Sequence, residues 1–283
     1  MLRLPEVRTI RSPGKQKFTQ TILFWYLLIM TIHVYSGAIA GKIDLKVGDK
    51  IATLVSLSLT PLRIDKIKEI RADVDQVDID GKAILFESGI YAKIPSDIPE
   101  KLALSALDVA GAPAQTAKLV KPGDTVLIIG AGGKSGMLCC YEAKRRAGVT
   151  GKVIGLCHSQ KSADRLIDLG FCDHVFTADA TQPVPVLEKM EELTGGQMAD
   201  VTINNVNIPD TEMTSVLSTK DTGVVYFFSM ATSFTKAALG AEGVGSDVTM
   251  IVGNGYTKGH AAITLEILRE SEKLRKVFTE LYA

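Results

Sequence analysis

The run Thr125-Val126-Leu127-Ile128-Ile129 leads directly into Gly130-Ala131-Gly132-Gly133-Lys134-Ser135-Gly136. An unbroken aliphatic run is what a strand buried on both faces looks like. Glycines after such a strand let the backbone turn sharply and approach a pyrophosphate. The helix that follows offers unpaired N–H groups and the positive end of its dipole. Residues 130–136 are therefore the expected phosphate-binding turn, with Gly130, Ala131, Gly132, Gly133, Lys134, Ser135 and Gly136 as the residues in contact. The spacing is G-x-x-G-x-x-G, because the usual G-x-G-x-x-G would need a glycine where Ser135 stands. Gly133-Lys134-Ser135 also resembles the end of a nucleoside-triphosphate loop, but that motif needs its first glycine at Ile128. The plain alternative is a tight connection with no ligand.

The strand after this helix should read the nucleotide, since an acid at its tip binds a ribose 2′-hydroxyl and a basic residue accepts a 2′-phosphate. The tip is Leu156-Cys157-His158-Ser159-Gln160-Lys161, without a carboxylate. Ser159 and Lys161, with Arg165 one turn on, suit a 2′-phosphate, so NADP or dual use of NAD and NADP is expected. Lys161 reads equally as a solvated charge at a helix start. Asn204 and Asn205 end a later strand, and Ser229 and Met230 follow another. At the carboxyl edge of a parallel sheet such residues meet the ribose and the nicotinamide amide, or simply cap the strands.

These groups need a frame, and residues 99–283 supply its pattern. Strands predicted at 125–129, 153–157, 174–176, 201–204, 223–228 and 248–252 alternate with helices at 134–147, 162–169, 184–193, 211–217 and 258–281. That is the pattern of an α/β, doubly wound parallel sheet, the Rossmann arrangement. A helical stretch at 99–119 precedes it, and Pro113 is expected to interrupt it. Residues 41–98 read as a small β unit, with a strand from Ile51 and a hairpin turn at Asp80-Gly81.

With 283 residues, 46% hydrophobic and 23% charged, the chain is an ordinary globular one, and 32 basic residues balance 32 acidic ones. No global field favours nucleic acid. Cys139, Cys140, Cys157 and Cys172 form no C-x-x-C pair and offer no convergent metal ligands, so no metal is expected and the thiols read as small core side chains. Their spacing suits a reducing, cytoplasmic setting. Residues 1–40 stand apart. Arg3, Arg8, Arg11, Lys15 and Lys17 precede an uncharged stretch at 21–40 that resembles a signal or anchor segment, marginal in length for a spanning helix. Membrane association through it is the alternative to a segment foreign to the domain behind it.

Gly48-Asp49-Lys50-Ile51, Lys93-Ile94-Pro95 and the run from Lys121 through Gly133 resemble the medium-chain dehydrogenase/reductase pattern, in which a GroES-like β domain precedes the nucleotide domain. More narrowly, the segments at 51–62 and 130–136 resemble the L-erythro-3,5-diaminohexanoate dehydrogenase family, from about residue 41 to the end. The resemblance implies a partial GroES-like domain at 41–98. It also implies a cytoplasmic homo-oligomer and NAD(P)-dependent oxidative deamination of a small diamino acid in lysine fermentation, giving 5-amino-3-oxohexanoate and ammonia without zinc. Such chemistry needs a base for the C3 amine. Where many members of the superfamily place a metal-binding cysteine, this chain has Ser105-Ala106-Leu107-Asp108, so Asp108 is the candidate catalytic acid or base. A helix-surface carboxylate is the plain reading. Two alternatives remain: a catalytically incomplete nucleotide-binding fragment, and a zinc-independent quinone or alcohol reductase.

Overall fold

The computed structural model describes residues 45–46, 48–54, 60–71, 76–86, 89–253 and 256–283, and the backbone of strands Leu2–Ile10 and Ile29–His33. The chain divides into two compact units: Met1–Asp108 with Phe278–Ala283, and Val109–Val277.

The first unit holds an antiparallel sheet. Its strands are β1 (Leu2–Ile10), β2 (Ile29–His33), β3 (Lys50–Thr53), β4 (Leu62–Arg71), β5 (Gln76–Ala83) and β6 (Tyr91–Lys93), in the order β4-β5-β1-β2-β3-β6. Leu45, Ile51, Ile79 and Ala83 make its core. The expected separation of residues 1–40 meets a partial answer here. Residues 2–10 and 29–33 are not apart from the β unit, since β1 pairs with β5 and β2, placing Val7 beside Ile79 and Ile32. Most of the 21–40 stretch lies outside the described residues, and among those described no helix is long and apolar enough to cross a membrane.

Asp80-Gly81 is no turn but the middle of β5, opposite β4. A Cβ at Gly81 would lie 2.4 Å from the Arg63 carbonyl oxygen. Glycine stands there because a neighbouring backbone comes too close, a role that the dipeptide signal does not separate from a hairpin.

Helix α1 (Glu100–Leu107) belongs to this unit, and Lys50 Nζ meets Glu100 Oε2 at 2.8 Å, tying it to β3. The division by contacts falls after Asp108. Helix α2 (Gly111–Leu119) starts the second unit. Pro113 does not divide the helical stretch; the break is at 108–110. Pro113 sits in the first turn of α2, where its missing N–H costs no helical hydrogen bond.

The second unit is the parallel sheet. Its strands are β7 (Thr125–Ile129), β8 (Lys152–Cys157), β9 (His174–Thr177), β10 (Ala199–Asn204), β11 (Thr219–Phe227) and β12 (Thr249–Val252), in the order β12-β11-β10-β7-β8-β9. Successive pairs run parallel. This is the doubly wound order, with the switch point between β7 and β10. Helices α3 (Lys134–Ala147), α4 (Gln160–Leu169), α5 (Pro183–Thr194), α6 (Glu212–Leu217), α7 (Phe234–Val244), α8 (His260–Glu270) and α9 (Glu272–Tyr282) complete the order. Leu127, Ile129, Ile154, Leu156, Val186 and Met190 pack one core cluster. Cys139, Cys140 and Cys157 are buried with them, and burial pushes the Cys139 thiol up to about 12.

The single terminal helix expected at 258–281 is two. Ser271 leaves helical geometry and its Oγ accepts from the Leu274 N–H at 3.2 Å, capping α9. His260, in the first turn of α8, is buried, and burial lowers its pKa from the ordinary histidine value. The folded chain thus holds the ring neutral while the unfolded chain protonates it near pH ~6.5. Stability from this residue is complete above that pH and declines as pH falls below it. Denaturation midpoints measured from pH 8 to 5 should drop on the acid side, and drop less in His260→Gln.

Candidate functional site

The phosphate entrance is built by three sets of contacts. Gly130 N–H and Ala131 N–H both donate to the Leu156 carbonyl, at 3.0 and 2.9 Å, which locks the end of β7 onto β8. Gly130 has φ +78°, a conformation that only glycine adopts without strain, and Gly133 N–H closes the turn on Gly130 O at 3.1 Å. A Cβ at Gly136 would lie 2.2 Å from that same Gly130 oxygen and 2.7 Å from Ala131 Cα, so only glycine lets α3 start this close to the strand end. Gly133 is the N-cap of α3, and no side chain caps the helix. No acidic side chain stands in the first turn of α3 to answer its dipole.

The other expected residues fall along the same carboxyl edge. Ser159 and Lys161 follow β8, Asn204 ends β10 with Asn205 just after it, and Ser229 and Met230 follow β11. Their roles separate. Ser159 Oγ accepts from Ser162 N–H in a capping box that starts α4, so that hydroxyl is engaged by the helix. Lys161 is exposed. Arg165 donates from Nη1 to the Gly132 carbonyl at 3.2 Å, which seats its guanidinium at the rim of the entrance. Ser229 Oγ accepts from Ala231 N–H at 3.0 Å and shapes a turn, and Met230 is almost fully exposed.

Asn204 is fully buried and its side chain serves the fold. Nδ2 donates to Thr211 Oγ1 and Ser215 Oγ, each at 2.9 Å, and Oδ1 accepts from Val206 N–H at 3.0 Å. This network pins α6 to β10 and holds Val206 against Gly130, where a Cβ would meet Val206 Cγ2 at 2.9 Å. Thr211 and Ser215 carry no local signal of this role, because their partner lies in another element. Asn204→Leu strands several buried polar groups and should cost about 3 kcal/mol of stability. A denaturant titration measures it, and cofactor affinity at low temperature should change far less.

Asn205 is different. Its N–H donates to Ile129 O at 3.0 Å and its Oδ1 receives a weak contact from Cys139 Sγ at 3.9 Å. Its Nδ2 is buried with no acceptor among the described residues. A buried amide donor beside the glycine turn is one that a bound acceptor could satisfy. The second unit thus sets a glycine turn beside an unpaired, buried amide donor. Asp108, the candidate base, closes α1 in the first unit and is half-buried.

Comparison with known proteins places this geometry. The model of the L-erythro-3,5-diaminohexanoate dehydrogenase N-terminal domain matches residues 11–95. An L-erythro-3,5-diaminohexanoate dehydrogenase of Acetoanaerobium sticklandii is 65% identical over 256 residues, covering 90% of this chain and 74% of that protein. The chain belongs to the L-erythro-3,5-diaminohexanoate dehydrogenase family. The counterpart of Fusobacterium nucleatum is 60% identical over the same share of both chains. Family likeness thus reaches back to residue 11, earlier than the 41 expected from the motifs. A zinc-binding dehydrogenase model matches residues 135–244. A mycobacterial protein solved in complex with NADPH has the same fold, with a TM-score of 0.57 at 18% identity, covering 98% of this chain and 81% of its own.

Among the described residues no three His, Cys, Asp or Glu side chains group to hold a metal ion. A nicotinamide dinucleotide does fit the residues present, on the glycine turn and the orphaned Asn205 amide.

Proposed function

We propose that the chain oxidatively deaminates L-erythro-3,5-diaminohexanoate at C3. Substrate, water and oxidised NAD(P) would give 5-amino-3-oxohexanoate, ammonium, reduced NAD(P) and a proton. The observation that carries the reading is an intact phosphate entrance in a chain of this dehydrogenase family. Gly130–Gly136 would hold the pyrophosphate, and Asn205 Nδ2 would donate to an oxygen of the bound cofactor. When bound, the nicotinamide supplies the hydride acceptor. Lys161 and Arg165, at a strand tip without a carboxylate, support acceptance of a 2′-phosphate and hence NADP alongside NAD.

Asp108 is the proposed base. The C3 amine must lose a proton before hydride can leave its carbon, and water must be activated against the imine that results. A carboxylate serves both transfers in turn: it takes the ammonium proton, releases it to solvent, and then takes the proton of the attacking water and passes it to the departing amine, which leaves as ammonium. The second reading is nucleotide binding without turnover. Fluorescence titration with NADPH and NADH, run beside reduced-cofactor release on the diamino acid, separates the two. Binding with release supports the enzyme, and binding alone supports the second reading.

A further inference from the structure

The second unit carries an open cleft of about 470 Å³. Gln115 and Lys118 of α2, Arg146 in the last turn of α3, and Tyr256, Thr257 and Lys258 before α8 line it over an apolar floor, and no carboxylate is among its lining residues. It is separate from the phosphate entrance, since Arg146 lies eleven residues along α3 from Ser135, roughly 17 Å at the helical rise.

The charges here do not cancel. Arg146 Nε meets Glu142 at 2.7 Å, and Arg145 shares Glu142 and reaches Glu270 at 2.9 Å, so the buried Glu142 and the exposed Glu270 answer the two guanidiniums. Lys118 and Lys258 are exposed and have no ion pair among the described residues. The first turn of α8 sits between the lining residues Lys258 and Ile263 with Gly259 as an N-cap that supplies no side-chain acceptor. Gln115 is 8% exposed, and its Oε1 accepts from Thr257 Oγ1 at 2.8 Å, which turns the amide so that Nε2 remains as a donor. The Tyr256 ring is held edge-on against His260 at 5.2 Å and forms a flat wall. A cleft lined by cations and donors, with low-dielectric walls, concentrates positive potential. Its volume falls within the range of small-molecule sites.

We propose that this cleft is a second ligand site, binding a polyphosphate anion, free or carried by a nucleoside, independently of the phosphate entrance. Lys118 and Lys258 would supply the charge, Gln115 Nε2 would donate to a phosphate oxygen, and Tyr256 would stack on a base where one is present.

The test is calorimetric titration of the full chain with tripolyphosphate and with ATP, each in the presence of saturating NADPH to fill the phosphate entrance. Near-stoichiometric binding is expected, weakening steeply with salt and by at least ~10-fold in the Lys118→Glu/Lys258→Glu pair. NADPH affinity should be unchanged in that pair. ATP binding more tightly than tripolyphosphate, with the difference lost in Tyr256→Ala, assigns the site to a nucleotide; equal affinities assign it to the free polyphosphate. No binding at millimolar probe, equal binding by the charge-reversed pair, or competition by NADPH would overturn the proposal. Lys118→Gln/Lys258→Gln repeats the comparison should the reversed pair fail to fold, as judged by circular dichroism. None of these readouts depends on turnover, so they stand apart from the deamination reading.

Discussion

Gly136→Val is expected to abolish nicotinamide-dinucleotide binding and to destabilise the second unit together. The added carbons have nowhere to go. The first of them would stand 2.2 Å from the Gly130 oxygen and 2.8 Å from the Ala131 carbonyl carbon, all backbone, and no rotamer change relieves a backbone contact. Either α3 moves away from β7 or the 130–133 turn opens. Each route breaks the Gly133 N–H to Gly130 O bond that shapes the cradle. Overpacking of this kind costs roughly 3 kcal/mol or more. The same displacement carried into binding corresponds to an affinity loss of at least ~100-fold, which takes binding out of the titrated range. Equilibrium denaturation and NADPH fluorescence titration on one preparation measure both. A variant that kept wild-type affinity would show that the pyrophosphate does not rest on this turn.

Asp108→Asn is expected to leave the fold and the cofactor affinity in place while lowering turnover of the diamino acid by roughly 10²- to 10⁴-fold, the usual contribution of one general base. The amide keeps the size of the carboxylate but takes no proton. The pH profile gives a second readout. The limb on which activity rises with deprotonation of the base should flatten in the variant, which a packing role would not produce. Equal turnover by wild type and variant would remove Asp108 from the chemistry and leave it as the residue that ends α1.

How much of this was legible before the structure depends on the range of the interactions. The parallel sheet was, because β7 and β8 are aliphatic runs and the turn after β7 is written in glycine, all local signals. The hydrogen bonds that make the turn a cradle were not. Gly130, Ala131 and Leu156 are joined by chain reversal through α3, and the reason for glycine at 136 is an oxygen six residues back. Asn204 and Asn205 looked alike as strand-end amides. Their partners separate them, with Thr211 and Ser215 engaging one and no described residue engaging the Nδ2 of the other.

Helix α7 went unpredicted because Gly240 and Gly243 dilute its pattern, although Ser233 caps its start, with Oγ accepting from Lys236 N–H, and Gly245 ends it at φ +66°. The break at Ser271 was open to the same capping logic and was hidden by apolar periodicity on both sides of it. The strands at 2–10 and 29–33 had the weakest signal of all. Pro5 and Arg8 dilute the first, and both gain their place only from antiparallel partners far along the chain. Strand pairing of this range leaves little trace in composition.

The most direct measurement is the stoichiometry of turnover. Purified chain is incubated with oxidised NADP or NAD and L-erythro-3,5-diaminohexanoate, and reduced cofactor and ammonium are quantified together. One ammonium released per reduced cofactor, with no release in Gly136→Val, is the expected result. Cofactor binding without any reduction, or reduction without ammonium, would contradict oxidative deamination at this site.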